Sequence, residues 1–188
     1  MPNEKQAGAL GMDSSENGKR YGCLFCKVGA EKAVAKDITD ETLGVLAIVP
    51  ERLRYRRNRG IATEETATLF PGYVFFETDD PEYRARELNK RRDVYRVLMT
   101  SEGEWELSGS DRQFAERFFE TNGVIGFSRV YKENDRIRVL DGYLKENEGK
   151  IIRVNMRART AQVKVRFCDK DLEMWVGFEL IEKSENGK

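Results

Sequence analysis

The chain of 188 residues carries 33 Lys and Arg against 33 Asp and Glu, a formal net charge of zero. Bulk charge therefore gives it no pull on nucleic acid or membrane, and any basic surface must come from clustering. It has no histidine, which excludes His-dependent catalytic triads and His-ligated metals. No run of about 18 apolar residues offers a membrane-spanning helix.

Residues 1–19 are rich in Gly, Ser, Asn, Glu and Lys and read as a disordered tail. They contain no apolar leader, so a cytoplasmic chain is expected. The three cysteines are Cys23, Cys26 and Cys168, an odd number that speaks against a disulfide framework. Cys23 and Cys26 form a C-x-x-C, but they fall in a strand-like stretch, where residues three apart face opposite sides. No second pair follows, so no metal and no cofactor are expected.

From residue 21 the pattern becomes regular. Residues 21–26 read as a strand and 31–37 as the start of a helix, with Ala30, Val34, Ala35 and Ile38 on one face. The apolar run 43–49, closed by Pro50, reads as a buried strand. Residues 51–68 are polar, contain Arg52, Arg54, Arg56, Arg57 and Arg59, and read as a long loop or hairpin arm. A strand over 69–77 follows. Asp80-Pro81 then opens a helix, with Asp as N-cap and Pro at the first helical position. Residues 94–99 form a further strand, and Ser110 caps a third helix with Phe114, Phe118 and Phe119 on its apolar face. This β-α-β-β-α-β order fits a ferredoxin-like layer with helices on one sheet face and the other face available.

Residues 123–133 show no periodicity and read as a linker. Beyond them helix signals stop. Residues 135–139, 149–154, 161–167, 172–175 and 177–181 are short strand candidates, with turns at Asp141-Gly142 and 169–171. Val163, Val165 and Phe167 alternate with Lys164, Arg166 and Cys168, as in a half-buried strand. Five short strands in so few residues suggest a small closed barrel. The fold class is thus α+β. The expected division is a tail over 1–19, an α/β domain over 20–122, a linker over 123–132, an all-β domain over 133–183 and a tail over 184–188.

The run Phe70-Pro71-Gly72-Tyr73-Val74-Phe75-Phe76 carries most information. Tyr73 and Phe75 share one strand face, Val74 and Phe76 the other, and Phe25 lies on the matching face of the first strand. Phe25, Tyr73 and Phe75 either form an exposed apolar patch, which would mark a binding surface, or belong to the core.

Residues Phe70 to Phe76 resemble the strand motif of the NusG family of transcription elongation factors. Tyr21-Gly22-Cys23-Leu24-Phe25-Cys26-Lys27-Val28-Gly29-Ala30-Glu31 resembles that family's opening strand and helix start. Asp141-Gly142-Tyr143-Leu144 with Glu148-Gly149-Lys150-Ile151-Ile152 is similar to its KOW motif. Leu24–Lys27, 157–161 and 176–181 are similar to the operon-specific, RfaH- and LoaP-like branch. The resemblance implies a NusG-type N-terminal domain, an SH3-like KOW barrel, and a monomeric, non-enzymatic elongation or antitermination factor. The first domain would bind the clamp helices of the largest subunit of RNA polymerase, through Phe25, Phe70, Tyr73 and Phe75. Gly22 departs from the family, where an aromatic is usual, and weakens part of that patch.

The same resemblance implies that Lys27 and Arg92, assisted by Arg91, touch the non-template DNA strand; the other reading is solvated charge. Lys150, Arg153, Arg157, Arg159, Lys164 and Arg166 flank one hairpin of the second domain and offer an edge for a nascent RNA hairpin, or a solvated face. A rival reading is an RNA-binding module of the RRM type, independent of polymerase, since aromatics on central strands can stack bases. No phosphate-binding loop or nucleophile-base motif points to an enzyme.

Overall fold

The computed structural model describes residues 18–100, 102–134 and 136–182. The expected tails fall largely outside these residues. Lys19, at the edge of the first, is anchored to Glu77 by an ion pair of 3.0 Å.

The first part contains β1 (Arg20–Cys26), α1 (Glu31–Glu41), β2 (Val45–Ile48), β3 (Glu51–Asn58), β4 (Ile61–Thr68), β5 (Tyr73–Thr78), α2 (Pro81–Leu88), β6 (Val94–Val97) and α3 (Gly109–Glu120). Four strands form one sheet in the order β2-β5-β1-β6, so β1 and β5 are the central neighbours. Strand alternation divides the side chains between two cores. Leu24, Cys26, Val74 and Phe76 pack with Val34 and Ile38 of α1 and with Ala85 and Leu88 of α2. Tyr21, Cys23 and Phe75 face the other way. Cys23 and Cys26 therefore lie on opposite faces, both as buried free thiols. Burial pushes the Cys26 thiol up to about 11 and raises Cys23 as well.

Helix α2 starts as its sequence dictates: the Asp80 carboxylate accepts from the Tyr83 amide at 3.0 Å and Pro81 opens the first turn. Helix α3 starts earlier than expected, with Ser108 rather than Ser110 at the N-cap. Residues 51–68 form a two-stranded arm, β3 against β4, closed by Arg59 and Gly60, both at positive φ. Strand β5 starts at Tyr73 and not at residue 69, because Pro71-Gly72 makes a turn whose Gly72 has φ +86°.

Gly22 contributes nothing to the aromatic face. A Cβ there would lie 2.1 Å from Cζ of Phe76, on the α1 and α2 side. The Phe76 ring fills the space an aromatic at position 22 would need, so the expected weakening of the patch does not follow.

The second part contains β7 (Val124–Ile125), β8 (Ser128–Glu133), β9 (Arg136–Val139), α4 (Tyr143–Glu146), a 3-10 turn (Glu148–Lys150), β10 (Ile151–Asn155), β11 (Thr160–Phe167) and β12 (Lys170–Leu180). The expected linker 123–132 is thus β7 and most of β8. It lacks sequence periodicity because β7 is only two residues long and pairs in parallel with Glu51 and Arg52 of β3. The second sheet runs β10-β11-β12-β8-β9, with β10 and β9 as edges. The expected strands 172–175 and 177–181 are one strand, β12. Gly177 inside it marks a close approach, not a turn: a Cβ would lie 2.5 Å from the Leu53 carbonyl oxygen and 2.6 Å from the Phe127 ring. The DG pair is a cap: Gly142, at φ +76°, precedes α4, Asp141 accepts from the Arg129 amide, and Ser128 Oγ accepts from the Leu144 amide at 3.0 Å.

Candidate functional site

The four aromatics expected at the polymerase face do form one group. Phe25 and Tyr73 are register partners on β1 and β5, with ring centroids 5.3 Å apart; Phe70 lies 6.4 Å from Tyr73. They are not the open patch that the sequence allowed. Phe75 is fully buried and Phe70 is 7% exposed, while Phe25 and Tyr73 are half-buried. The sheet face is covered from two sides. Phe114 and Phe118 of α3 approach Phe75 at 6.2 and 5.6 Å. Phe167, at the end of β11, sits 5.3 Å from Phe75 and 5.4 Å from Phe114. Burial raises the Tyr73 phenol above its ordinary value. A face covered in this way cannot stack bases as an open RRM sheet does.

Phe167 reaches that position because β11 and β12 are joined by a tight turn, with Cys168 and Asp169 both at positive φ. The turn is held to α3: the Asp111 carboxylate accepts from the Cys168 amide at 3.0 Å. Burial pushes the Cys168 thiol up to about 12, and Asp111 adds to the shift. Further along α3, Arg117 pairs with Glu146 of α4 and lies 5.8 Å over the Tyr143 ring. At the seam a cavity of about 240 Å³ opens between Tyr73, Arg96 and Leu98 on one side and Phe167, Cys168 and Leu172 on the other.

The Gly72 turn beneath these rings is pinned by Glu31. Its carboxylate, 6% exposed, accepts from the Gly72 amide at 2.7 Å and the Gly29 amide at 2.8 Å. Burial pulls the Glu31 carboxyl up, but backbone donors at Glu31, Gly72 and Gly29 outweigh it and hold it below the ordinary value.

The three cations expected at DNA separate into two kinds. Lys27 is exposed, and its backbone amide donates to the Asp93 carbonyl. The Arg92 side chain is 95% exposed, with only a loose 3.8 Å contact to Asp93. Arg91 is a correction. Its guanidinium binds Glu41 at 2.8 Å, Asp37 at 3.3 Å and Thr42 Oγ1 at 2.7 Å, so it ties the end of α2 to α1. Its chemistry is used up within the fold.

The expected RNA edge also divides. Lys164 is paired with Asp171 at 2.8 Å and Arg166 with Asp169 at 3.0 Å. Lys150, Arg153, Arg157 and Arg159 are exposed. Arg157 and Arg159 lie in the β10–β11 turn, which Asn155 stiffens by accepting from the Ala158 amide at 2.9 Å. The Arg159 guanidinium lies 5.3 Å over the ring of Tyr55, a residue of the arm, and Tyr55 stacks on Phe127 at 4.5 Å with rings 10° apart. The arm and this turn were separate features in sequence. Tyr55 and Phe127 drew no notice there, because neither sits in a motif; Gly177 was the one local signal that something packs closely here.

Among the described residues, no group of three or more His, Cys, Asp or Glu could hold a metal ion, and no helix is long and apolar enough to cross a membrane.

The family model described as transcription termination factor nusG matches residues 19–116, just over half of the chain. Among solved structures, one titled "Domain interaction in Thermotoga maritima NusG" is similar at 16% identity and a TM-score of 0.46, covering 85% of this chain and 94% of that one. A comparison with curated proteins finds no match.

Proposed function

Because this chain belongs to the NusG family, we propose that it is a non-catalytic transcription elongation factor that binds RNA polymerase through the aromatic face of β1 and β5. The observation that carries this reading is the grouping of Phe25, Phe70, Tyr73 and Phe75 on one face of the two central strands. The partner surface is the clamp helices of the largest subunit, whose apolar side chains would replace the ring of Phe167. Part of the face, at Phe25 and Tyr73, is already reachable, so binding can begin there before the β11–β12 turn yields.

In this reading residues 20–122 and the part beyond them act as separate functional domains. The finer assignment, to the operon-specific branch that acts by antitermination, is supported by the exposed cations of the β10–β11 turn, Arg157 and Arg159. They suit a nascent RNA hairpin, while Lys27 and Arg92 suit the non-template strand.

The experiment is binding of the full chain to core RNA polymerase. Tyr73→Ala removes a half-buried ring that packs against both Phe25 and Phe70 and should leave the fold intact. Loss of an aromatic at an interface centre costs about 2 kcal/mol, roughly thirty-fold in affinity. Wild-type affinity from a folded Tyr73→Ala protein would reject this face.

A further inference from the structure

The arginines of the arm and of the β10–β11 turn are not used alike. Arg54 and Arg56 are neutralised by Glu65, with Arg54 Nε at 2.7 Å from its carboxylate. Arg52 donates to the Trp175 carbonyl and is partly buried. Arg57, Arg157 and Arg159 have no carboxylate partner among the described residues. These unpaired guanidinium groups converge on one place. Tyr55 and Arg57 of the arm, with Asn155, Arg157 and Ala158 of the turn, line a groove of about 300 Å³. Arg159 closes over Tyr55 beside it.

The arrangement is built rather than incidental. Tyr55 is fixed between the Phe127 ring and the Arg159 guanidinium. Arg159 is held at φ +51°, a conformation uncommon for a residue with a side chain, and its carbonyl accepts from the Phe178 amide at 2.9 Å. A planar guanidinium over an aromatic ring presents a flat, charged surface next to two free cations. That combination suits a phosphodiester chain with one unstacked base: Arg57 and Arg157 for phosphates, the Arg159 plane for the base.

We propose that this groove is one composite binding site for a single-stranded nucleic-acid segment, assembled only while the second sheet is docked on the arm. The inference rests on the nucleic-acid part of the proposed function and adds to it the arm as half of the site. It also carries a consequence. A ligand touching both sides stabilises their docked arrangement, and that arrangement keeps Phe167 over Phe75. Strand binding at the groove and exposure of the aromatic face therefore oppose each other, by the same factor in either direction.

The test uses the full chain and fluorescein-labelled oligouridylate and oligothymidylate of about twelve nucleotides, titrated by fluorescence anisotropy at several salt concentrations. Arg57→Ala and Arg157→Ala should each weaken binding roughly ten-fold and lower the salt slope by about one. Arg86→Ala, on α2 and paired with Glu82 at 2.6 Å, should change neither. If Arg157→Ala loses binding and Arg57→Ala does not, the turn alone binds and the composite site is wrong, while the proposed function stands. If wild type binds neither oligonucleotide and no hairpin RNA, the nucleic-acid reading itself fails. Tighter binding of one oligonucleotide identifies RNA or DNA as the source. Hydrogen exchange gives the second readout: saturating oligonucleotide should slow exchange of the β5 and β11 amides, and unchanged or faster exchange would overturn the link to docking.

Discussion

Replacing Phe167 by Ala should loosen the cover over the aromatic face. The ring is 2% exposed and makes two aromatic contacts with the first part of the chain, to Phe75 at 5.3 Å and Phe114 at 5.4 Å. Each such pair contributes about 0.5–1.5 kcal/mol beyond area burial. Losing both shifts the docked arrangement by about 1–3 kcal/mol, and each 1.4 kcal/mol is a factor of ten. The remaining contacts, Asp111 to the Cys168 amide, Arg117 to Glu146 and Arg159 to Tyr55, stay in place. The variant should therefore loosen at the β11–β12 end without coming apart. If polymerase needs that face, its apparent affinity should rise by up to the corresponding factor, about five- to 140-fold, because a larger fraction of the protein is competent to bind. Hydrogen exchange at β5 should speed up in parallel, and Phe167→Leu should fall between the two proteins. A folded Phe167→Ala protein with faster exchange but unchanged or weaker polymerase binding would refute the idea that this cover opposes binding.

Gly22→Ala should destabilise, since its Cβ would sit 2.1 Å from Cζ of a fully buried Phe76. Overpacking of this kind costs about 1–3 kcal/mol, which lowers Tm by roughly 3–10 °C; adding Phe76→Leu should recover part of the loss, and no recovery would mean that the clash lies elsewhere. Glu31→Gln should cost about 1–3 kcal/mol at neutral pH, because the Gly29 and Gly72 amides donate to different carboxylate oxygens, so Gln keeps one bond as a neutral one and turns an NH2 donor toward the other amide. Because the folded carboxyl is held below its ordinary value, the wild-type advantage is complete above pH of about 4.3 and lost as pH falls through the folded value. Urea midpoints of the two proteins should converge on acidification, and a gap that stays constant from pH 7 to pH 3 would remove Glu31 from this role.

Local chemistry was legible wherever a short pattern decides the structure. Asp80-Pro81 opened a helix, the 163–168 alternation made β11, and the parity of residues 21–26 and 73–76 divided the two sheet faces correctly. The outcome at those faces was not legible. Whether Phe75 is open or covered depends on Phe114 and Phe118 of α3 and on Phe167, about ninety residues away, and alternation alone says only that each is inward on its own strand. Gly22 and Gly177 illustrate the same limit. A glycine inside a strand signals a close approach, but the approaching group, Phe76 in one case and Leu53 with Phe127 in the other, is a tertiary fact. Arg91 and Arg92 are adjacent and chemically equal in sequence. Only the position of α1 makes one an ion-pair hub and leaves the other in solvent.

Strand β7 limits how far the second sheet can travel. Val124 and Ile125 are hydrogen-bonded to the arm, and Ser128 already begins β8. Only Gly126 and Phe127 remain as a tether, with a reach of roughly 7 Å when extended. While β7 stays paired, the second sheet can tilt but cannot diffuse away, and its local concentration at the docking surface stays very high. A competitor for the aromatic face must then either work within a wedge-shaped opening or first peel β7 from the arm. The second route would lengthen the tether and convert a hinge into a leash. The two-residue pairing of Val124 and Ile125 thus acts as a latch on range of motion, separate from the contacts that set how tightly the faces adhere.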